Sequence, residues 1–206
     1  MKKLKYEIET ISGIHIGVAM DPYEKGGIDS YTIKDMEGFP YIPASSIKGK
    51  FRFFLDNIDK FCSDEFLNRI KEKLNINSND IKVISKYLFK TKDANEKDEN
   101  FNKMEKVIFQ DATIVDKENN SKLFEIKAEN SIEIKNGIPD SNPRIIERTN
   151  KKIKYEFEIL IIGFEEEEVI HELINTVFKL ISEYGYLGGN GTRGYGRVNI
   201  IEKANK

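Results

Sequence analysis

Six of the chain's fourteen glycines, Gly185, Gly188, Gly189, Gly191, Gly194 and Gly196, crowd into residues 185–196. Glycine lets backbone amides approach a phosphate or a base closely, and Arg193 adds a positive charge there. Gly189-Asn190-Gly191-Thr192-Arg193-Gly194 has GxGxxG spacing, but a dinucleotide site needs a strand before that motif and a helix after it. Here a helical pattern precedes it and only twelve residues follow Gly194, which excludes that chemistry. Anion contact and a tight helix-to-strand turn both stay open from composition alone.

Pro43-Ala44-Ser45-Ser46-Ile47-Lys48-Gly49-Lys50-Phe51-Arg52 is the second cluster. It joins a helix start, with Ser45 and Ser46 as N-cap candidates, to three cations and no acid. Free amides and the helix dipole favour anions at such a terminus, although an ordinary capped surface helix has the same look. No acid occurs between Gly185 and Asn199 either. Two acid-free basic stretches in a net-acidic chain make an anion groove plausible. Asp29 and Asp35 lie in a glycine-opened loop, where a carboxylate binds a divalent ion against a phosphate or simply shapes a turn.

Other motifs fail. His171-Glu172 opens like HExxH, but Asn175 stands at the last position, so a solvated helix face is expected for His171. No P-loop is present, and a Ser-His-Asp triad is not legible. Cys62, the single cysteine, excludes an internal disulfide and is expected to be packed. Glu165 to Glu168 suit the first turn of a helix.

The elements that must carry these residues follow from periodicity. Leu4, Tyr6 and Ile8 alternate with Lys5, Glu7 and Glu9 as a half-buried strand, and Ile14, Ile16 and Val18 continue it past Gly13. Residues 20–43 read as a long loop. Ile47, Phe51, Phe54, Leu55 and Ile58 keep helical spacing, and 64–90 is helical but irregular. Residues 91–106 are nearly all polar and read as an exposed insertion. Strand character returns at 107–115, in one or two strands at 123–134, and at 155–161. Residues 136–150 form a long loop or an extended hairpin. Val169, Ile170, Leu173, Ile174, Val177, Phe178 and Ile181 give an amphipathic helix, and a last strand falls near 197–201. The order resembles an α+β, βαββαβ ferredoxin-like or RRM-like core with large insertions, as a single domain over 1–206.

Composition bounds the rest. The chain has 206 residues, 33 basic and 35 acidic, for a net charge of -2. Overall charge is therefore not that of a nucleic-acid binder, and any basic face must be local. No apolar run approaches membrane-spanning length, no secretory signal is visible, and a cytoplasmic location is expected.

Taken together, several segments resemble the backbone subunits of type III-A CRISPR effector complexes, in the repeat-associated mysterious protein (RAMP) superfamily. They are Ile14-His15-Ile16-Gly17, Gly27-Ile28-Asp29-Ser30 with Ile33-Lys34-Asp35, the Pro40 to Arg52 stretch, and Phe109-Gln110-Asp111-Ala112. They continue with Glu129-Asn130-Ser131-Ile132, Asn142-Pro143-Arg144 with Glu147-Arg148, and Leu187 to Val198, in family order. Gln110 stands where the family often has Arg, and Tyr31 where Pro is common.

The resemblance implies an RRM-like core that polymerises along a CRISPR RNA guide with further copies of itself and the other type III-A subunits, away from any membrane. It implies a thumb-like hairpin near 130–152 that displaces bases at regular intervals. Asp29 would be the catalytic carboxylate and metal ligand, with a divalent cation such as Mg2+, for cleavage of complementary target RNA. Guide contacts would come from His15, Ser45, Ser46, Lys48, Arg52, Arg144, Gly189, Asn190, Gly191 and Arg193. The alternatives are a non-catalytic structural RNA-binding subunit and a type III-B sibling.

Overall fold

The computed structural model describes residues 1–17, 27–78, 80–89, 107–117, 123–135, 137–162 and 167–204. The polar insertion expected at 91–106 and the strand position Val18 lie outside them. The strands are β1 (Lys2–Thr10), β2 (Val107–Phe109), β3 (Thr113–Ile114), β4 (Phe124–Lys135), β5 (Ile138–Thr149), β6 (Lys154–Ile161) and β7 (Val198–Lys203). The helices are α1 (Ala44–Leu55), α2 (Asp64–Lys73), α3 (Lys82–Phe89) and α4 (Glu167–Tyr184).

The main sheet runs β2-β6-β1-β7 with antiparallel neighbours, and β3 also pairs with β6. That is the strand order of a ferredoxin-like βαββαβ unit formed by β1, α1, β2, β6, α4 and β7. The hairpin β4–β5 is inserted between β3 and β6 as a sheet of its own.

Period-two alternation decides which face is core. Leu4, Tyr6 and Ile8 of β1 and Tyr155, Phe157, Ile159 and Ile161 of β6 point inward, where α1 and α4 cover them. Phe51 of α1 sits between Phe109 and Phe178, with ring centroids 5.3 and 5.4 Å away. Truncating Phe51 to alanine would cost about 3–5 kcal/mol, because the lost ring leaves a void that packed neighbours do not fill.

The outward face is ionic. Lys3, Lys5, Lys154 and Lys203 interleave with Glu7, Glu9, Glu156 and Glu158. Glu158 takes Lys3 at 2.8 Å, and Glu7 takes Lys154 at 2.7 Å. An RRM stacks bases on aromatic rings of this face. The outward positions of β1, β6 and β7 carry no ring and balance in charge, so this sheet face is not a base platform.

Two local expectations change, and the irregular helical stretch at 64–90 takes a definite form. Ser45 and Ser46 are not N-caps: Pro43, at φ -57°, starts α1 so early that both serines fall in its first turn. The cap comes from elsewhere, as the Asp111 carboxylate accepts the Ala44 N–H at 2.7 Å. Residues 64–90 resolve into two helices, the first capped by Ser63, whose hydroxyl accepts the Phe66 N–H at 3.3 Å. His171 is half-buried rather than solvated, because β7 brings Glu202 to within 2.8 Å of its Nε2. Among the described residues no helix is long and apolar enough to cross a membrane.

Candidate nucleic-acid interface

The segment 27–43 contains no long element, yet backbone pairing pins it. Ser30 pairs in parallel with Ile146, Gly17 with Thr32, and the Ile33 N–H donates to Ile16 O at 2.8 Å. Asp29 is fastened at two points. Its N–H donates to Ile145 O at 2.7 Å, and its Oδ2 accepts the Ile145 N–H at 2.5 Å. The carboxylate is thus held beside β5 although Asp29 itself is exposed.

His15 is the buried junction behind it. Its Nδ1 lies 2.7 Å from Glu147 O, and a carbonyl only accepts, so Nδ1 carries the proton. Nε2 then accepts from the Ser30 hydroxyl at 3.0 Å. The Glu147 carboxylate is itself engaged by the Thr32 N–H at 3.1 Å and Lys34 Nζ at 2.9 Å. Both ring nitrogens of His15 are thus used internally, so it joins the Asp29 loop to the hairpin base.

The glycine-rich loop closes the other side, and it proves to be both a tight turn and a wall of the cleft. Gly188 has φ +80°, and a Cβ there would lie 2.4 Å from His15 O. The adjacent Gly189 N–H donates to that same oxygen at 2.8 Å. Asn190 takes the left-handed conformation that asparagine tolerates, φ 57°. From this loop Arg193 reaches Glu129 of β4 at 2.5 Å, and the Tyr195 hydroxyl donates to the same carboxylate at 2.6 Å. Those bonds, the phenol's first, hold the Glu129 carboxyl below its ordinary pKa. Burial, then Glu129, pushes the Tyr195 phenol up to about 12, so it stays a donor. Lys127 and Arg148 each sit 4.5 Å from the Tyr195 ring centre.

A polar cleft of about 460 Å³ opens where the hairpin base meets this loop. It gathers five residues singled out from sequence, His15, Asp29, Arg144, Asn190 and Arg193, and adds Ser30 and Asn142. A larger groove, about 580 Å³ between α4 and β7, contains none of those singled out. Gly189 and Gly191 belong to the cleft's loop but do not line it. Ser45, Ser46, Lys48 and Arg52 stand apart on α1. Lys48 lies over the Phe89 ring at 5.2 Å, and Arg52 pairs with Asp56 at 3.5 Å. The α1 cation that reaches toward the loop is Lys50, 3.9 Å from the Tyr186 ring centre, and burial lowers its pKa. Its signal was available: Lys50 lies four residues beyond Ser46, on the same side of α1. Glu129 and Glu147, which the sequence placed in family segments without a role, neutralise basic neighbours.

Among the described residues no three His, Cys, Asp or Glu side chains gather as a metal group. The cleft offers one carboxylate, Asp29. That donor set does not form a protein cage, but it suits Mg2+, which binds through one or two carboxylates plus substrate phosphates and water.

The model of the RAMP superfamily matches residues 7–199. The "CRISPR system Cms endoribonuclease Csm3" of Streptococcus thermophilus is 35% identical over 95% of this chain and 85% of its own length. The chain belongs to the RAMP superfamily, in its Csm3 branch. A second such relative, from Methanocaldococcus jannaschii, is 32% identical over 94% of this RAMP chain and 75% of its own. The type III-B Cmr-beta in its apo state superposes with a TM-score of 0.61 at 13% identity, covering 98% of both chains. The type III-B Cmr-beta bound to cognate target RNA gives a TM-score of 0.60 at 20% identity over 98% of this chain. This chain spans 60% of the length of that last one. At those identities the likeness is one of RAMP fold.

Proposed function

We propose that this chain is a guide-RNA-binding backbone subunit of a type III-A CRISPR effector complex that cleaves complementary target RNA at regular intervals, with a divalent cation, Mg2+, at Asp29. One observation carries the reading: Asp29, Arg144, Asn190 and Arg193, which come from three distant segments, share one cleft. Relatives named endoribonucleases at up to 35% identity support it.

The hairpin suits a thumb. Register puts Ile126, Ala128, Ile132, Ile134, Pro143 and Ile145 on one face, and Ile126, Ile132 and Ile134 are at least 65% exposed. The other face carries Lys127, Arg144 and Arg148 together with Glu125, Glu129 and Asp140, and it meets the glycine-rich loop. An apolar wedge of this kind unstacks bases, while Arg144 on the mixed-charge reverse side holds a phosphate.

Guide pairing supplies sequence specificity, and the protein reads backbone and shape. An unstacked target nucleotide brings its 2′-oxygen in line with the adjacent phosphorus. That oxygen forms the new bond to phosphorus as its proton passes to solvent, and the 5′-oxygen leaves, taking a proton from solvent to give a 5′-hydroxyl. Arg144 and Arg193 orient the phosphate, so much of the rate comes from positioning. Asp29 would hold a Mg2+ ion, which would supply charge stabilisation to the phosphoryl oxygens. The double tether of Asp29 to Ile145 favours a second reading, in which that carboxylate is architectural and the subunit binds RNA without cutting it. Copies assembled on a guide and given an all-ribose target separate these, because the second reading expects no cut, and a target with a single 2′-deoxy nucleotide at the cleaved position then tests the chemistry. Loss of that one cut with neighbouring cuts kept supports the proposed chemistry; efficient cutting there refutes it.

A further inference from the structure

A strip of aromatic rings leaves the glycine-rich loop in a direction that the cleft does not use. Its inner end is Tyr186, which packs so closely on Gly191 that a Cβ there would fall 2.1 Å from the ring. Lys50 bridges outward, 3.9 Å from the Tyr186 ring centre and 5.6 Å from that of Phe53. Phe53 meets Phe54 at 5.5 Å, Phe54 meets Phe61 at 5.6 Å, and Phe61 meets Tyr184 at 5.3 Å. Phe54 is buried, but Phe53, Phe61 and Tyr184 are 58, 40 and 58% exposed. Helical spacing puts Ser46, Lys50 and Phe53 on one side of α1, and nothing lies within 4 Å of a Cβ at Gly49 between them. The strip therefore runs on from both the glycine-rich loop and the start of α1.

We propose that Lys50, Phe53, Phe61 and Tyr184 form a stacking site for unpaired bases of single-stranded RNA, separate from the cleft and joined to it through the glycine-rich loop. The inference rests on the reading of that cleft as an RNA interface. Every base has a π face, and exposed rings beside a cation are the recurrent means of binding single strands without sequence preference. A protein partner would also cover the rings, but lysine is depleted from the cores of protein interfaces, and here Lys50 sits between two of them. Guide and target strands both need a sequence-tolerant hold, because the guide alone sets the sequence.

The test uses the full chain, a short oligouridylate and an abasic strand with the same number of phosphates. Phe53→Leu with Tyr184→Leu removes two rings at exposed positions and keeps apolar bulk; an unchanged melting midpoint confirms the fold. The double variant is expected to lose about tenfold in oligouridylate affinity for each base unstacked. Its affinity for the abasic strand and its salt slope should stay unchanged, because no phosphate contact is lost. Unchanged oligouridylate binding overturns the stacking site, and so does an equal loss on both strands. In either case, loss of both strands on Arg144→Ala with Arg193→Ala leaves the cleft reading intact. Loss of self-association with RNA affinity kept gives the rings to a second copy and overturns the proposal. A wild-type chain that binds neither strand overturns the cleft reading as well.

Discussion

Asp29 grips Ile145 through both its backbone and its side chain: the amide donates to Ile145 O at 2.7 Å, and Oδ2 accepts from the Ile145 N–H at 2.5 Å. The carboxylate proposed to serve cleavage is therefore also a staple between its loop and the hairpin. Asparagine retains an oxygen for the Ile145 N–H and loses the charge; alanine loses both. Asp29→Asn should abolish target cleavage while leaving RNA affinity and the melting midpoint near wild type. Asp29→Ala should abolish cleavage and also lower the midpoint, through the loss of one hydrogen bond to a charged group, about 1.5–3 kcal/mol of stability. Cleavage gels and thermal melts on both variants check this, and an active Asp29→Asn would assign the residue to architecture alone.

Glu129 links hairpin and glycine-rich loop through Tyr195 and Arg193, and its folded-state pKa lies below the ordinary value of 4.5. A lowered folded pKa stabilises the native state above the unfolded pKa, and that stabilisation disappears as pH falls through the folded value. The wild-type melting midpoint should therefore fall more steeply than that of Glu129→Gln as pH drops below about 4.5. Above that window Glu129→Gln should be the less stable protein. Parallel curves over the whole acid range would show that the carboxylate's charge contributes nothing to the link.

Asp111 caps α1 from the loop between β2 and β3, taking the Ala44 N–H at 2.7 Å. Removing a cap of this kind costs about 1 kcal/mol. Asp111→Ala should lower the unfolding free energy by that amount, read as a lower urea midpoint with an unchanged slope, and Asp111→Asn should recover most of it because the amide oxygen also accepts. The slope matters, since an altered one would report a change in compactness rather than the loss of a cap.

Gly196 has φ +72°, and a Cβ there would sit 1.9 Å from Leu187 O. Backbone, not a mobile side chain, blocks the space, and the conformation is strained for any L residue. Gly196→Ala should cost on the order of 2 kcal/mol and displace the loop from the cleft. Gly194 also has positive φ, +84°, but nothing lies within 4 Å of its Cβ position. Gly194→Ala should therefore cost only the conformational part, about 1 kcal/mol. Thermal melts of the two variants side by side separate clash from strain.

What the sequence determined by itself is what neighbours along the chain decide. Alternation in Leu4-Tyr6-Ile8, the helical stripe from Val169 to Ile181, and the glycines of 185–196 each act over a few residues. Strands and helices were therefore legible before any packing was known, with the tight turn as one of two open readings of the glycines. The family segments placed Asp29, Arg144 and Arg193 among the candidates. Contacts between distant segments were not legible. Asp29 meets Ile145 across 116 residues, and Glu129 meets Arg193 across 64, because the hairpin folds back over the loops. Only that packing showed that His15 is a buried tether and that Lys50, rather than Lys48 or Arg52, is the α1 cation nearest the glycine-rich loop. Periodicity says which face of a helix is polar. Which polar residue finds a partner depends on the other elements beside it, and that is a property of the packed chain.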